Sequence, residues 1–390
     1  MRRFAVLVLL LAACKMRWEH GARSDVDAGL DAPAEDVDAP PDAMPDAAPD
    51  AEIDAPADAG IDAMPDAMPD AMPDAMPDAM PDAMPDAMPD AMPQPHLVDT
   101  GLCVDAGCMV ITPGVIEFRP RWQLWTDGAV KRRWIRLPAG TTIDDTDLDY
   151  WRFPVGTKLW KEFVRDGVRV ETRYMVKTGP NDEDWEMMPF AWNAAQTDAV
   201  AVPAGVTNAN GTQHDIPSQA TCMGCHENVK SRVLGFGALQ LDYDAPSGLM
   251  DLDDAIAAGW VSNIPGTATP HLPLPGTSVD QAALGYLHAN CGHCHNSDSP
   301  LINRPMLRLE VDHLATVQTT RAYASSFNVA AAVPVDGASL ILKPGDPDLS
   351  VIITRMITTS TQRRMPALGT ELVDPAGQSA LRAWITSLPP

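Results

Sequence analysis

The chain has 390 residues, with 28 basic and 53 acidic side chains and a formal charge of −25. Residues 21–96 carry −19 of this charge and residues 1–20 carry +3, which leaves −9 for residues 97–390. The part of the chain that can fold is therefore only mildly acidic, which argues against nucleic acid as a partner.

Residues 1–14 begin with two arginines, continue as a short apolar run and end in Leu11-Ala12-Ala13-Cys14. The run is too short to span a bilayer as a stable helix, so it is typical of an export signal. Its last four residues resemble the lipobox of bacterial lipoproteins. That resemblance implies that Cys14 is lipidated and anchors the exported chain to the outer membrane, facing the periplasm or the cell surface. The alternative is an ordinary signal peptide cut near Ala13.

Residues 15–96 are dominated by Asp, Ala, Pro and Met, and the tetrapeptide Asp-Ala-Met-Pro repeats eight times from Asp62 to Pro93. Frequent proline removes amide donors and disfavours helix, and the aspartates repel one another. The segment is predicted to be a disordered tether, with a reach between about 50 Å as a coil and about 250 Å as polyproline II. Methionines are also soft copper ligands, but tandem expansion of a short repeat explains them with fewer assumptions.

Residues 97–216 show the periodicity of strands. Lys158–Val164 and Val168–Val176 flank Asp166-Gly167, which predicts a hairpin with a type I′ turn. Further strands are predicted at Trp122–Trp125, Arg133–Leu137 and Glu186–Trp192, so a sandwich-like or barrel-like module is expected. Seven of the ten tryptophans lie in this segment; core packing is the commoner reason for such a density, and a carbohydrate-binding face is the alternative.

Two copies of Cys-x-x-Cys-His stand in the second half of the chain, at residues 222–226 and 291–295. This string is the attachment signature of c-type haem, in which both cysteines bond to the porphyrin and the histidine binds iron. The sequence therefore predicts two covalently attached haem c groups. Their attachment residues are Cys222, Cys225, Cys291 and Cys294, and their proximal iron ligands are His226 and His295.

The second motif lies in residues 276–390, which resemble the all-α class I cytochromes c. A helix capped by Ser278 and Gln281 is predicted to lead into Cys291, and a second helix is predicted after Asp374-Pro375. The resemblance implies that these helices cross, with Gly285 allowing a close approach, and that Met365 is the second axial ligand. Met356 is the rival ligand, but it falls in a predicted helix from Ser350 to Ile357, where core packing is favoured.

The first motif, in residues 217–275, lacks room for such a leading helix because Pro217 stands close to it. Covalent haem is still predicted here, with a disulfide or a Cys2His metal site as alternatives. The sequence leaves the sixth ligand of this haem open. The candidates are Met187, Met188, His214, Met250 and His271, whereas Met223 is sterically poor. At the second motif, His288 and His293 are predicted to be helix-surface residues and not ligands.

Two cysteines remain after lipid and haem are assigned, Cys103 and Cys108. In an oxidising compartment their close spacing predicts a small disulfide loop. A metal site is the alternative, but no histidine lies near enough in sequence to complete it.

The run from Trp122 to Trp134, the run from Phe153 to Phe163 and the two haem motifs occur in an order that resembles a family of exported bacterial di-haem c-type cytochromes. The resemblance covers about residues 97–390 and implies an α+β, multidomain chain that works with redox partner proteins. Electron transfer is the favoured function. A peroxidase-like enzyme with an open first haem and a ligand-binding β-rich module coupled to a haem domain are the alternatives.

Overall fold

One antiparallel sheet organises the computed structural model, which describes residues 94–299 and 304–389. Its six strands are β1 (Ile116–Phe118), β2 (Val130–Arg136), β3 (Lys158–Arg165), β4 (Val168–Lys177), β5 (Trp185–Trp192) and β6 (Ala199–Ala201). Each strand pairs with the next one in sequence, so the sheet is a simple meander. The expected sandwich is wrong for these strands: they form one sheet, and its faces are covered by helices and loops instead of a second sheet.

The hairpin between β3 and β4 is confirmed. Asp166 and Gly167 have φ values of 51° and 80°, and a type I′ turn requires positive φ at both positions. The pairing of Arg165 with Val168 directly encloses this turn. By contrast, Trp122–Trp125 is not a strand: Trp122 lies in a bend, and the next three residues belong to no regular element.

The two faces of the sheet bury different clusters. On one face Trp134, Trp160 and Trp192 pack with the residues that precede β1, including Leu97 and Leu102. The other face, with Leu159 and Met175, joins the larger core that the helices bury. Of the seven tryptophans in residues 97–216, three are half-buried, Trp122, Trp125 and Trp185, and the other four are buried, Trp134, Trp151, Trp160 and Trp192. Core packing therefore accounts for this tryptophan density.

The helical part contains α1 (Gln219–His226), α2 (Ala238–Leu241), α3 (Leu252–Ala257), α4 (Ser278–Asn290), α5 (Arg321–Ala324), α6 (Val351–Ile357) and α7 (Pro375–Ser387). Five short 3₁₀ turns lie at Leu97–Thr100, Ala209–Gly211, Val311–His313, Val317–Thr319 and Pro347–Leu349. The described part of the chain is thus α+β, and it lies within one compact unit.

Helices α4 and α7 pack on one another, as the sequence predicts. Asp374 caps α7 as expected, but the capping box of α4 uses Thr277 and Asp280, one residue earlier than predicted. The glycine at the contact is Gly377, whose position leaves room for the Tyr286 ring, while Gly285 instead admits Trp122. The segment is not all-α, because β7 (Ala330–Val335) and β8 (Ala338–Leu340) form a hairpin within it.

The region around β6 shows where the folded part of the chain begins. His96 pairs with Val200, and its Nδ1 lies 2.8 Å from Asp198, so the folded part begins before the predicted boundary at residue 97.

The structure joins Cys103 to Cys108 as a disulfide, with their Cα atoms 5.0 Å apart. Cys14 and the Asp-Ala-Met-Pro repeats lie outside the described residues. Within the described ranges, no helix is long and apolar enough to cross a membrane.

Candidate cofactor site

Helix α1 carries the whole first motif on eight residues. The helix begins at Gln219, two residues after Pro217. Ser218 is its N-cap, and the Ser218 hydroxyl accepts from the Thr221 amide. Cys222 and Cys225 are both free and half-buried. At Gly224, between them, a Cβ atom would stand only 2.9 Å from the Leu368 side chain, so the loop containing Leu368 packs directly on this helix.

The second motif begins at the C-terminal end of α4, where Cys291 is the C-cap. The carbonyl of Cys291 accepts from the amides of Cys294 and His295, at 3.1 and 2.9 Å, which turns the motif back on itself. Cys291 and Cys294 are free thiols. A helix that delivers these cysteines is therefore present, as the sequence predicts.

The two motif histidines share one hydrogen-bonding arrangement. The Nδ1 of His226 lies 2.5 Å from the Arg232 carbonyl oxygen, and the Nδ1 of His295 lies 3.1 Å from that of Pro305. Because a carbonyl oxygen can only accept, each Nδ1 carries the proton and each neutral ring keeps a lone pair on Nε2. Histidines that bind metals characteristically make such a bond with the other ring nitrogen. Burial supports the neutral form, lowering the pKa of His226 to about 4 and that of His295 below 6.5.

The two motifs lie next to each other in space. The Asn296 side-chain amide, directly after the second motif, donates to the Asn228 carbonyl at 2.9 Å, just beyond the first motif. The same amide also donates to the carbonyls of Gly292 and His293. Asn296 is almost completely buried, so this contact between the segments is part of the core.

A cavity of about 390 Å³ lies between the first motif and the sheet. Cys222, Cys225 and His226 line it from α1, and residues of β2, β3, β4 and β5 line it from the sheet. The loop from Pro366 to Glu371 forms another part of the wall. This volume is within the range of about 300–1,000 Å³ that cofactor and ligand pockets occupy.

Some of the sequence-predicted sixth ligands of the first haem line the cavity, and others lie outside its lining. Met187, Met188 and His214 line the cavity. Met250 is buried in the core, with its amide bonded to Glu117, and lies outside the cavity lining. His271 is also outside it, with its ring held by Asp253 and the Pro265 carbonyl.

Three further potential ligands line the cavity, Lys161, Met175 and His293, and the sequence predicts none of them as a ligand. Met175 could have been found from strand alternation, because it pairs with Met187 across β4 and β5. His293 and His288 were predicted to be surface residues, and this is wrong. Both are buried: the Nδ1 of His288 accepts from the Leu309 amide, and burial lowers the pKa of His293 to about 4.

Met365 lies in the loop that separates α6 from α7. Its amide donates to the Arg355 carbonyl at 2.9 Å, and the peptide bond to Pro366 is cis. Pro366 lines the cavity of the first motif, whereas Met365 is not part of that lining. The rival, Met356, is buried within α6 as core packing predicts. Met365 as the ligand opposite His295 stays a prediction.

The cavity floor is rich in positive charge. Arg133, Lys161 and Arg173 line it, and they are direct cross-strand neighbours on β2, β3 and β4. Burial and the two arginines hold the pKa of Lys161 well below its usual 10.5, and burial lowers that of Arg133 to about 10. The nearby carboxylate is Glu171, which binds Arg173 through both oxygens and His214 through one.

No family model matches this chain, and neither a curated protein nor a solved structure shows significant similarity to it. Within residues 94–299 and 304–389, no group of three or more His, Cys, Asp or Glu side chains is arranged to hold a metal ion. Cys222 and Cys225 are not joined by a disulfide in this structure, and covalent haem and a Cys2His metal site both stay predictions for the first motif.

Proposed function

We propose that the chain is a di-haem c-type cytochrome that transfers electrons between redox partner proteins. Cys222 and Cys225 would hold one haem and Cys291 and Cys294 the other, with His226 and His295 as proximal ligands. Haem supplies one-electron iron chemistry when it is bound. The resemblance of Leu11-Ala12-Ala13-Cys14 to a lipobox and the composition of residues 15–96 add the second part of the proposal, a lipid anchor at Cys14 and a tether that sets the reach of the folded part.

One observation carries this proposal: both motif histidines give their Nδ1 proton to a backbone carbonyl and keep Nε2 free. Two unrelated sequence contexts, α1 and the end of α4, thus arrive at the same tautomer. A structural histidine has no general need to leave Nε2 without a partner. The cavity beside Cys222, Cys225 and His226 supports the proposal independently, because covalent attachment there needs space next to both thiols.

The packing of α4 on α7 supports a class I-like arrangement around the second motif. Trp384 of α7 donates its indole proton to Asp280 of α4 at 3.0 Å, and Tyr286 fits over Gly377. The β7–β8 hairpin is an addition to that arrangement. We therefore assign the second haem an electron-transfer role, with Met365 as the proposed sixth ligand, since a six-coordinate iron leaves no position for a substrate.

A second candidate function, a redox enzyme at the first haem, is favoured by one feature of the cavity. His214 and Glu171 form a hydrogen-bonded pair at 3.0 Å, and His214 lines the cavity itself. Such a pair has the composition of a general acid and base that could serve a bound substrate. The pair also has a structural explanation, because Glu171 is fully buried and needs partners for its charge.

Carbon monoxide binding to the fully reduced protein separates the two functions. An electron carrier with two six-coordinate haems should show no change in its visible spectrum on addition of the gas. An enzyme with an open first haem should bind one equivalent, and the bound fraction should be lost in a Cys222→Ser/Cys225→Ser variant but kept in Cys291→Ser/Cys294→Ser. Binding of one equivalent in the unmodified protein would therefore reject the electron-carrier proposal.

A further inference from the structure

Three cationic side chains form one row across the sheet. Arg133 of β2 pairs with Lys161 of β3, and Lys161 pairs with Arg173 of β4. Directly paired residues in adjacent strands point to the same face, and neighbouring strands are about 4.8 Å apart, so the three side chains stand side by side. That face is the floor of the cavity, which all three residues line.

The charge of this row is not balanced by the protein. Two guanidinium nitrogens of Arg173, Nε and Nη2, donate to the two carboxylate oxygens of Glu171, at 2.6 and 3.0 Å. Among the described residues, neither Arg133 nor Lys161 forms an ion pair. Arg133 is only 4% exposed and contacts a neutral group, the Gln123 amide oxygen, at 3.4 Å. One carboxylate thus faces three cations.

The other acidic residues of the cavity are already occupied. Asp127 accepts from the backbone amides of Glu371 and Leu372, and Asp215 accepts from that of Asn208. Glu371 and Asp215 are exposed. Burying an unpaired cation is costly, so a fold that places Arg133 and Lys161 together on a cavity floor is suited to an anion that enters from outside the chain.

We propose that Arg133, Lys161 and Arg173 form a carboxylate-binding row, and that its occupants are the two propionate groups of the haem attached at Cys222 and Cys225. Guanidinium groups bind carboxylates with two parallel hydrogen bonds, and Lys161 adds a point charge between them. The site adjoins the motif: Arg173 interacts electrostatically with both cysteines, and Lys161 with Cys225 and His226. This inference rests on the proposed function, and it gives the sheet the role of a haem-binding wall.

The test uses the haem-loaded protein and the variants Arg133→Gln and Lys161→Met. Removing a cation beside the haem favours the oxidised iron, so the midpoint potential of the first haem should fall. The oxidised-to-reduced ratio at a fixed potential should rise about tenfold, ~59 mV for a one-electron couple. The second haem is the internal reference, and Arg136→Gln is the matched control, since Arg136 is exposed and alternates to the opposite face of β2.

A parallel titration with sodium propionate, followed by calorimetry, distinguishes the haem's own carboxylates from a free one. A fall in the first potential without propionate binding supports the row with haem as the source. Unchanged potentials with saturable propionate binding that is lost in Arg133→Gln support the row with a free carboxylate as its ligand. If neither potential nor propionate binding responds to Arg133→Gln or Lys161→Met, the row is not a carboxylate site. An unmodified protein without haem at the first motif would refute the proposed function, and the propionate titration would still decide on the row.

Discussion

Asn296 donates to the Asn228 carbonyl at 2.9 Å and thereby joins the segment that follows one haem motif to the segment that follows the other. The contact is buried, and the same side chain also serves the carbonyls of Gly292 and His293. A single amide thus links the segments that follow the two motifs. Electron exchange between them would depend on the separation that this contact maintains.

Replacement of Asn296 by alanine should leave three carbonyls, two of them in buried contacts, without this donor. The expected loss is about 1–3 kcal/mol in the free energy of unfolding, measured by urea denaturation. Asn296→Asp is the comparison variant, because it keeps the acceptor that receives the Asp298 amide at 2.9 Å, loses the donor and adds a negative charge beside the carbonyls. A loss in Asn296→Asp at least as large as that in Asn296→Ala would assign the effect to the donor; a loss confined to the alanine variant would contradict this account.

Gly285 is predicted to be essential for packing the sheet region against α4. A Cβ atom at this position would stand 2.0 Å from the Trp122 indole nitrogen. Gly285→Ala should therefore destabilise the protein by about 1–3 kcal/mol, although alanine is the better helix former. Combining it with Trp122→Leu should recover part of that loss, since a smaller side chain removes the clash. Strict additivity of the two substitutions would show that the contact does not determine the cost.

Met365 and Met356 should respond to substitution in opposite ways. Met365→Ala should abolish the near-infrared charge-transfer absorption that is typical of Met-ligated ferric haem, with little effect on stability, since Met365 is only half-buried. Met356→Ala should keep that absorption and cost about 2–5 kcal/mol in unfolding free energy, because it empties a buried site. The reverse pattern of spectrum and stability would make Met356 the ligand.

Asp149 should make stability depend on pH. Burial raises its pKa from 3.8 to about 6, although its carboxylate accepts from the Val311 amide at 3.2 Å. A raised carboxyl pKa means that the fold binds the proton more tightly than the unfolded chain does. The resulting stabilisation is complete below pH 3.8 and is lost as the pH rises through 6.

Asp149→Asn should remove this dependence. At pH 7.5 the variant should be more stable than the unmodified protein by about 1–3 kcal/mol, and the difference should vanish near pH 4. Urea titrations at both pH values measure it, with the exposed Asp312→Asn as the control for loss of one negative charge. An Asp149→Asn variant that is less stable at pH 7.5 would show that the charged form is favoured by the fold.

The sequence was most informative where local chemistry decides the structure. Asp166-Gly167 fixed the β3–β4 hairpin because few residues tolerate positive φ at both turn positions. Asp374 and Pro375 located the start of α7 for the same kind of reason. The free Nε2 of each motif histidine was not predicted, because Arg232 and Pro305 lie six and ten residues away and only the folded loops bring their carbonyls back.

The features that the sequence did not predict depend on contacts between residues that are far apart along the chain. Arg133, Lys161 and Arg173 form a row only because β2, β3 and β4 pair in one particular alignment. Trp122, which packs over Gly285, lies 163 positions before it in the chain. Gly285 therefore does not make the predicted close contact between α4 and α7, and Gly377 makes it instead. His293 is predicted to lie on a helix surface, but it is buried and lines the same cavity as Cys222, Cys225 and His226 of the first motif.

Haem counting on the purified, exported protein tests the central claim most directly. Intact-mass analysis with a pyridine haemochrome assay should give two covalent haems per chain, and Cys222→Ser/Cys225→Ser or Cys291→Ser/Cys294→Ser should each give one. Two haems in the unmodified chain and one in each variant would agree with two independent attachment sites. One haem or none in the unmodified chain would contradict the account.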